Sequence, residues 1–270
     1  ESRKPEVEYG DSIHGDLSRR DFTVNSMALE LTTDKPEFID PFNGLQDLAA
    51  RILRTPVRAG DSFNDDPLRM MRAARFASQL DFQIAPEVLT SMQDLAHRIS
   101  IISAERVRDE FVKIIMSPNP RIGITLLVDT GLADIVLPEI PKLRLEVDEH
   151  HHHKDVYEHS ITVLEQAIEL EDRLGGPNLV IRIAALLHDI GKPKTRAFIE
   201  GGGVSFHHHE VVGARLAKKR LQALRFDNET IDAVELLTML HLRFHGYGEG
   251  EWTDSAVRRY VRDAGEFITH

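Results

Sequence analysis

Three groups of residues in this chain carry side chains suited to chemistry. The densest is Asp65-Asp66-Pro67-Leu68-Arg69-Met70-Met71-Arg72-Ala73-Ala74-Arg75, which sets two carboxylates ahead of three guanidinium groups. A carboxylate accepts from an amino group, and an arginine donates to a ring nitrogen. Adenine and cytosine present that pair on their Watson–Crick edges, whereas guanine and uracil present a carbonyl beside a ring N–H. Asp66 with Arg69 therefore matches A and C and refuses G and U. The plainer reading is a solvated helix face with an Asp66–Arg69 ion pair of little consequence. The second group is Arg19-Arg20-Asp21, upstream. The third is the His188-Asp189 doublet, with His159, His209 and His241 further off. Imidazole nitrogen and carboxylate oxygen together suit a divalent metal. Any one of these histidines taken alone reads as a hydrogen-bonded core residue.

Helices must position the first and third groups. Asp66 can cap free backbone N–H groups, and Pro67 suits a first helical position, where its missing N–H is no loss. Beyond it, Arg69, Arg72 and Arg75 share an arc of about 120°. Met70, Ala73, Ala74, Ala77 and Leu80 lie opposite, as a packing face. Leu179–Pro193 reads as one nearly all-apolar helix, which belongs in a core and is ended by Gly191 and Pro193. His188 and Asp189 then lie at the end of a buried helix, where polar side chains are costly unless paired. The run His150–His153 reads as a solvated loop that would also bind nickel or zinc adventitiously.

Upstream of the arginine helix stand Asp16-Leu17-Ser18-Arg19-Arg20-Asp21-Phe22-Thr23-Val24-Asn25-Ser26-Met27-Ala28 and Asp40-Pro41-Phe42-Asn43-Gly44-Leu45-Gln46-Asp47-Leu48. In this order and spacing, the chain from Glu1 to about Leu145 resembles the bacterial tRNA nucleotidyltransferase and poly(A) polymerase family (class II, CCA-adding). The resemblance implies that Arg20 and Asp21 meet the ribose and phosphates of an incoming nucleotide. It implies that Asp65, Asp66, Arg69, Arg72 and Arg75 belong to a base-reading helix, with Asp65 standing where the family usually has Glu. His159, the His188-Asp189 doublet, Phe206-His207-His208-His209-Glu210 and His241 resemble the HD superfamily of metal-dependent phosphohydrolases. That resemblance implies a divalent metal on His159, His188, Asp189, His209 and His241. The superfamily's closing aspartate is then Asp263 or lies beyond His270.

The function so implied is template-independent addition of C and A, from CTP and ATP, to the tRNA 3′ end, with Mg2+ serving nucleotidyl transfer. Poly(A) synthesis is the near alternative, because the motifs overlap. Hydrolysis of a phosphoester by the HD part is a second hypothesis, and a non-catalytic RNA- or nucleotide-binding piece is a third. In the resembled family a Gly-rich loop and an Asp-x-Asp pair precede the point where this sequence begins, and nothing in Glu1–Asp21 replaces them. No catalytic carboxylate is therefore assigned. The chain lacks an initiator methionine and ends on Thr269-His270, and it reads as a piece cut at both ends that would not add nucleotides by itself.

Composition sets outer bounds. A chain of 270 residues with 41% hydrophobic and 29% charged residues has ample material for a core. The net charge of -11 excludes a wholly basic nucleic-acid coat but not a local basic stripe. There is no cysteine, which excludes disulfides and thiolate zinc sites and suits a reducing cytoplasm. No apolar run is long enough to span a membrane, and no signal-peptide pattern opens the chain. The expected fold is mainly α with a partial α/β N-terminal segment. The two resemblances imply that residues 1–57 form the last part of a nucleotidyltransferase palm, 58–145 a helical neck and 146–270 an all-α HD domain. Expected elements are a helix opening over Asp21–Met27, strands at Ala28–Leu31, Glu37–Ile39 and Arg51–Val57, and a helix at Gly44–Ala50. A loop over Arg58–Asn64 leads to helices from Pro67 and at Pro86–Arg98, Ser103–Ser117 and Pro120–Thr130.

Overall fold

The structure, a computed structural model, describes residues 12–32, 34–145, 155–199, 204–244 and 253–265. Among the described residues the architecture is mainly helical, with three two-stranded sheets. Helix α1 (Ile13–Ser18) is capped by Ser12, whose hydroxyl accepts from the Gly15 N–H. In place of the helix expected after Asp21 there is one 3-10 turn, Thr23–Asn25. Two β-branched residues open that turn, and the Asn25 side chain closes it by accepting from the Phe22 N–H at 3.1 Å. Strands β1 (Ala28–Glu30) and β2 (Glu37–Ile39) pair antiparallel, Leu29 opposite Phe38.

Helix α2 (Gly44–Ala50) follows a left-handed residue, Asn43, and its first N–H groups donate to the Asp40 carboxylate. A Cβ at Gly44 would stand 2.2 Å from the Thr23 carbonyl oxygen, so only glycine lets α2 close on that turn. The expected strand over 51–57 shrinks to β3 (Ile52–Leu53). Pro56 lacks a ladder donor, and Thr55 bonds the Val57 carbonyl as the chain turns away.

Helix α3 (Ala59–Asp65) occupies the stretch expected to be a loop. Its buried residues are Ala59, Ser62 and Phe63, a one-sided stripe too short to stand out beside Gly60. Helix α4 (Leu68–Leu80) starts where the Asp66 carboxylate accepts from the Leu68 N–H at 3.2 Å. Met70, Met71, Ala73, Ala74 and Ala77 are fully buried along it. Leu80, expected on that face, is 44% exposed, because it ends the helix just before the left-handed Asp81 turns the chain. Strand β4 (Gln83–Ile84) pairs parallel with β3. Helices α5 (Pro86–Leu95), α6 (Ala104–Ile115, capped by Ser103), α7 (Pro120–Asp129) and α8 (Ala133–Val136) complete this part.

After the undescribed stretch, Asp155 caps α9 (Val156–Glu169) and Asn178 caps α10 (Leu179–Leu187). The single helix expected through Pro193 stops at Leu187, and a short α11 (Lys192–Thr195) takes Pro193 into its first turn, where proline is tolerated. A small hairpin, β5 (Ala197–Phe198) with β6 (Val204–Ser205), leads into α12 (His209–Ala223). Helix α13 (Asn228–Leu240) packs along α12, and α14 (Asp254–Ala264) follows. One hydrophobic core runs without a break from Phe22 through Met70 and Phe111 to Tyr157, Leu186 and Val234.

Candidate functional site

The arginine helix meets the Arg19-Arg20-Asp21 segment directly. Asp21, 7% exposed, lies 3.2 Å from Arg69 Nε and pairs through its other oxygen with Arg72. Arg69 also donates to the Ser62 hydroxyl (2.8 Å) and to the Arg19 carbonyl (2.6 Å), so most of its donors are already engaged. Arg72 is the more open of the two, and its Nε is buried without a hydrogen-bond partner. Arg75 does not join them. Its Nε donates to Glu110 on α6 at 2.6 Å, and its guanidinium lies 4.1 Å from the Phe76 ring centroid. The expected row of three presented guanidiniums is therefore two plus a helix-to-helix tie.

Asp66 makes no pair with Arg69. One carboxylate oxygen caps α4, and the other accepts from Arg106 of α6 at 2.8 Å. Asp65 is exposed at the end of α3. Arg20 projects outward, its side chain 55% exposed and 3.4 Å from Asp16. Arg106, a residue that sequence reasoning passed over, marks the helix start at Ser103 but gives no local sign of its partner 40 residues away.

The second cluster brings all five expected residues together. His159 comes from α9, His188 and Asp189 from the end of α10, His209 from the start of α12, and His241 from the end of α13. Three of the imidazoles are oriented by the carbonyl three residues earlier. His188 Nδ1 bonds Ala185, His209 Nδ1 bonds Phe206, and His241 Nδ1 bonds Thr238, at 2.8, 2.8 and 2.6 Å. A carbonyl only accepts, so each Nδ1 carries a proton, and in the neutral imidazole each Nε2 keeps a lone pair. Those Nε2 atoms point at Asp189. One carboxylate oxygen lies 3.1 Å from His188 and 3.7 Å from His159, the other 3.2 Å from His209 and 3.8 Å from His241. His209 Nε2 and His241 Nε2 are 3.2 Å apart.

A shared cation would satisfy acceptors that face acceptors at such distances. The donor set, four imidazoles around a nearly fully buried carboxylate, fits a divalent metal ion. Lys192, at 3.0 Å from Asp189, supplies one positive charge to the same carboxylate and was not singled out in the sequence. Burial pushes Asp189 upward, but His188, His209 and Lys192 outweigh it and hold the carboxyl well below the usual range. Burial lowers His209, yet the Asp189 carboxylate and the Phe206 carbonyl raise it overall. His241 is pushed down to about 3 by burial and by the neighbouring His188, and so stays neutral.

Asp263 does not reach this cluster. It accepts from Arg243 at 2.5 Å and lies 3.3 Å from Arg262. The His150–His153 run lies outside the described residues.

Known protein families correspond to three consecutive parts of the chain. The model described as "Poly A polymerase head domain" matches residues 1–54, that described as "Probable RNA and SrmB- binding site of polymerase A" matches 81–143, and "HD domain" matches 156–264. The A-adding tRNA nucleotidyltransferase of Deinococcus radiodurans is 36% identical over 263 residues, covering 95% of this chain and 58% of that protein. The multifunctional CCA protein of Neisseria meningitidis is 35% identical over 243 residues, covering 88% of this chain and 55% of that protein. The chain belongs to the tRNA nucleotidyltransferase and poly(A) polymerase family and carries an HD domain.

The chain spans a little over half the length of these relatives. Its fold is likewise that of the nucleotidyltransferases. A tRNA-processing enzyme in an apo form superposes with a TM-score of 0.65 at 18% identity, over 93% of this chain and 64% of that one. A tRNA nucleotidyltransferase crystallised with a primer tRNA and an incoming ATP analogue superposes with a TM-score of 0.64 at 18% identity, over 94% and 66%. Among the described residues, no helix is long and apolar enough to cross a membrane.

Proposed function

We propose that this chain is the nucleotide-selecting and RNA-holding part, together with the HD part, of an enzyme that adds C and A from CTP and ATP to tRNA 3′ ends. The observation that carries the reading is the seating of Asp21 between Arg69 and Arg72, which binds the Arg19-Arg20-Asp21 segment to the arginine helix. Arg20 and Asp21 would then meet ribose and phosphate, next to the residues that read the base.

Each oxygen of Asp66 has one partner, and a carboxylate oxygen accepts two, so a base amino group can still be received there. Arg69 would donate to the ring nitrogen by exchanging one of its backbone or hydroxyl contacts, with Arg72 holding the helix to Asp21. Arg75 acts in this reading through α4, by fixing it against Glu110. Mg2+ would neutralise the triphosphate. Poly(A) or A-only addition remains the near alternative, since an A-adding relative matches as well as the CCA proteins do.

The test is a competition of the four nucleoside triphosphates in the full-length enzyme. Asp66→Ala should lose discrimination against G and U while addition continues. Unchanged selectivity removes Asp66 from base reading. Incorporation of ATP alone by the unaltered enzyme would replace CCA addition by A addition.

A second reading rests on the converging Nε2 lone pairs: the HD cluster is a metal-dependent phosphohydrolase centre. A divalent ion held there would polarise a phosphoryl oxygen and acidify a bound water. Manganese calorimetry on the unaltered chain, on His188→Ala, and on a variant with His150–His153 changed to alanine tests it. Binding that survives His188→Ala but is lost with the histidine run refutes the buried centre.

A further inference from the structure

A cavity of about 330 Å³ opens beside the HD cluster. His159, His188 and His241 are among its lining residues, so whatever fills the cavity touches the cluster. The rest of the described lining is apolar, including Val163 of α9, Ile181 and Ala185 of α10 and Leu237 and Leu240 of α13, together with the ring of Tyr260 of α14. No Lys, Arg, Asp or Glu is among its described lining residues. Apart from the histidines, the one polar group of the lining side chains is the Tyr260 hydroxyl. Tyr260 is half-buried, and α14 is tied to the segment after α13 by the Arg243–Asp263 ion pair at 2.5 Å.

These surroundings say what a ligand reaching the cluster must look like. An apolar wall gives nothing to a fully ionic molecule and leaves its polar groups without partners. A flat ring gains dispersion and burial there, and an aromatic wall such as Tyr260 adds stacking. The volume is that of the smaller organic-ligand pockets. A lone phenol hydroxyl cannot read the donor–acceptor pattern of a base edge, which needs at least two groups.

We propose that this cavity receives the organic half of the HD substrate and selects phosphoesters that carry a flat, largely apolar ring, with Tyr260 as the specificity-determining wall. The inference rests on the reading of the HD cluster as a phosphohydrolase metal centre. Nucleotides and simple aryl phosphates share the required chemistry. Among nucleotides the cavity does not discriminate between bases.

The test is calorimetry on the chain titrated first with Mn2+, then with phenyl phosphate, AMP, GMP, ribose 5-phosphate and pyrophosphate. Ring-bearing esters should bind about tenfold more tightly than ribose 5-phosphate or pyrophosphate, the size of effect that base stacking on one aromatic supplies. Tyr260→Ala should remove that advantage while leaving ribose 5-phosphate and Mn2+ affinities unchanged, and Tyr260→Phe should keep it. Ala185 also lines the cavity, and Ala185→Phe, which would fill it, should exclude the ring-bearing ligands alone. Equal affinity for phenyl phosphate and ribose 5-phosphate with Mn2+ bound overturns the proposal and leaves the metal centre standing. Equal weakening of every ligand by Tyr260→Ala also overturns it, because Tyr260 would then act through the fold. Tight phenyl phosphate with weak AMP assigns the cavity to aryl esters, and a preference between AMP and GMP above about fivefold removes the claim of base indifference. If Mn2+ does not bind at all, the metal centre falls and this proposal falls with it.

Discussion

Arg182 is the buried charge on which the packing of α10 depends. Its side chain and that of Glu171 are each 5% exposed. The guanidinium meets the Glu171 carboxylate with two parallel bonds, at 2.7 and 2.6 Å, and donates at 2.9 Å to each of the Ile115 and Ser117 carbonyls at the end of α6. Arg182→Ala strands a buried carboxylate and leaves two carbonyls without that donor. Removing one partner of a buried pair costs about 3–5 kcal/mol, and unmade hydrogen bonds add about 1 kcal/mol each. The total, about 5–7 kcal/mol, is a large part of the ~5–15 kcal/mol that holds a typical domain together. It should lower the melting temperature by about 10–28 °C in a chain of this size. Arg182→Met with Glu171→Gln should recover part of the loss, because no uncompensated charge remains. The Arg182 hydrogen bonds hold Glu171 below the usual carboxylate range, against its burial. The folded-state value is thus depressed, so this stabilisation is present above the unfolded value of about 4.3 and is lost as pH falls through the folded one. The difference in stability between the unaltered chain and Glu171→Gln should therefore shrink as pH drops below about 4. Calorimetric melts and urea titrations over that range measure it. A loss under about 1 kcal/mol for Arg182→Ala, or a double variant no more stable than the single one, would refute the argument.

Two further outcomes follow from single contacts. A Cβ at Gly191 would lie 2.1 Å from the His209 carbonyl oxygen and 2.7 Å from the Gly213 nitrogen, so Gly191→Ala must push α12 away from α10. It should weaken Mn2+ binding along with stability, by about 1–3 kcal/mol for the latter, and unchanged Mn2+ affinity by calorimetry would count against the placement of His209. In the full-length enzyme, Arg20→Ala should weaken ATP and CTP alike, since a contact to phosphate or sugar carries no base information. Its melting temperature should barely move, because the side chain is 55% exposed with Asp16 at 3.4 Å, and loss of only one nucleotide would place Arg20 at the base.

What could be read from the sequence was what is written locally. Helix α2 has the expected bounds, and α6 opens at the expected Ser103, because capping chemistry acts within three residues. The five residues of the histidine–aspartate cluster were legible through the resemblance of their segments to the HD superfamily, since no local periodicity picks its histidines out of the 14 in the chain. The tertiary partners were not. Arg75 finds Glu110 across 35 residues and Asp66 finds Arg106 across 40, and no local pattern encodes either pairing. Helix α3 was missed for a related reason: seven residues with a glycine show too little periodicity, and it is the burial of Phe63 that makes them a helix.

The continuity of the core bears on how such a chain changes through generations. Phe111 of α6 meets Phe226 edge-on, with centroids 6.5 Å apart. Arg121 of α7 holds both Glu158 and Glu165 of α9, and Arg220 of α12 reaches Glu139 at 2.8 Å. A recombination event that exchanged everything after about residue 145 for an unrelated unit would strip all of these partners at once. Only a newcomer with its own phenylalanine, glutamates and arginine in register would be accepted. The helices before residue 145 and those that cradle the histidines should therefore be inherited as a block, with substitutions at their shared boundary arising in compensating pairs.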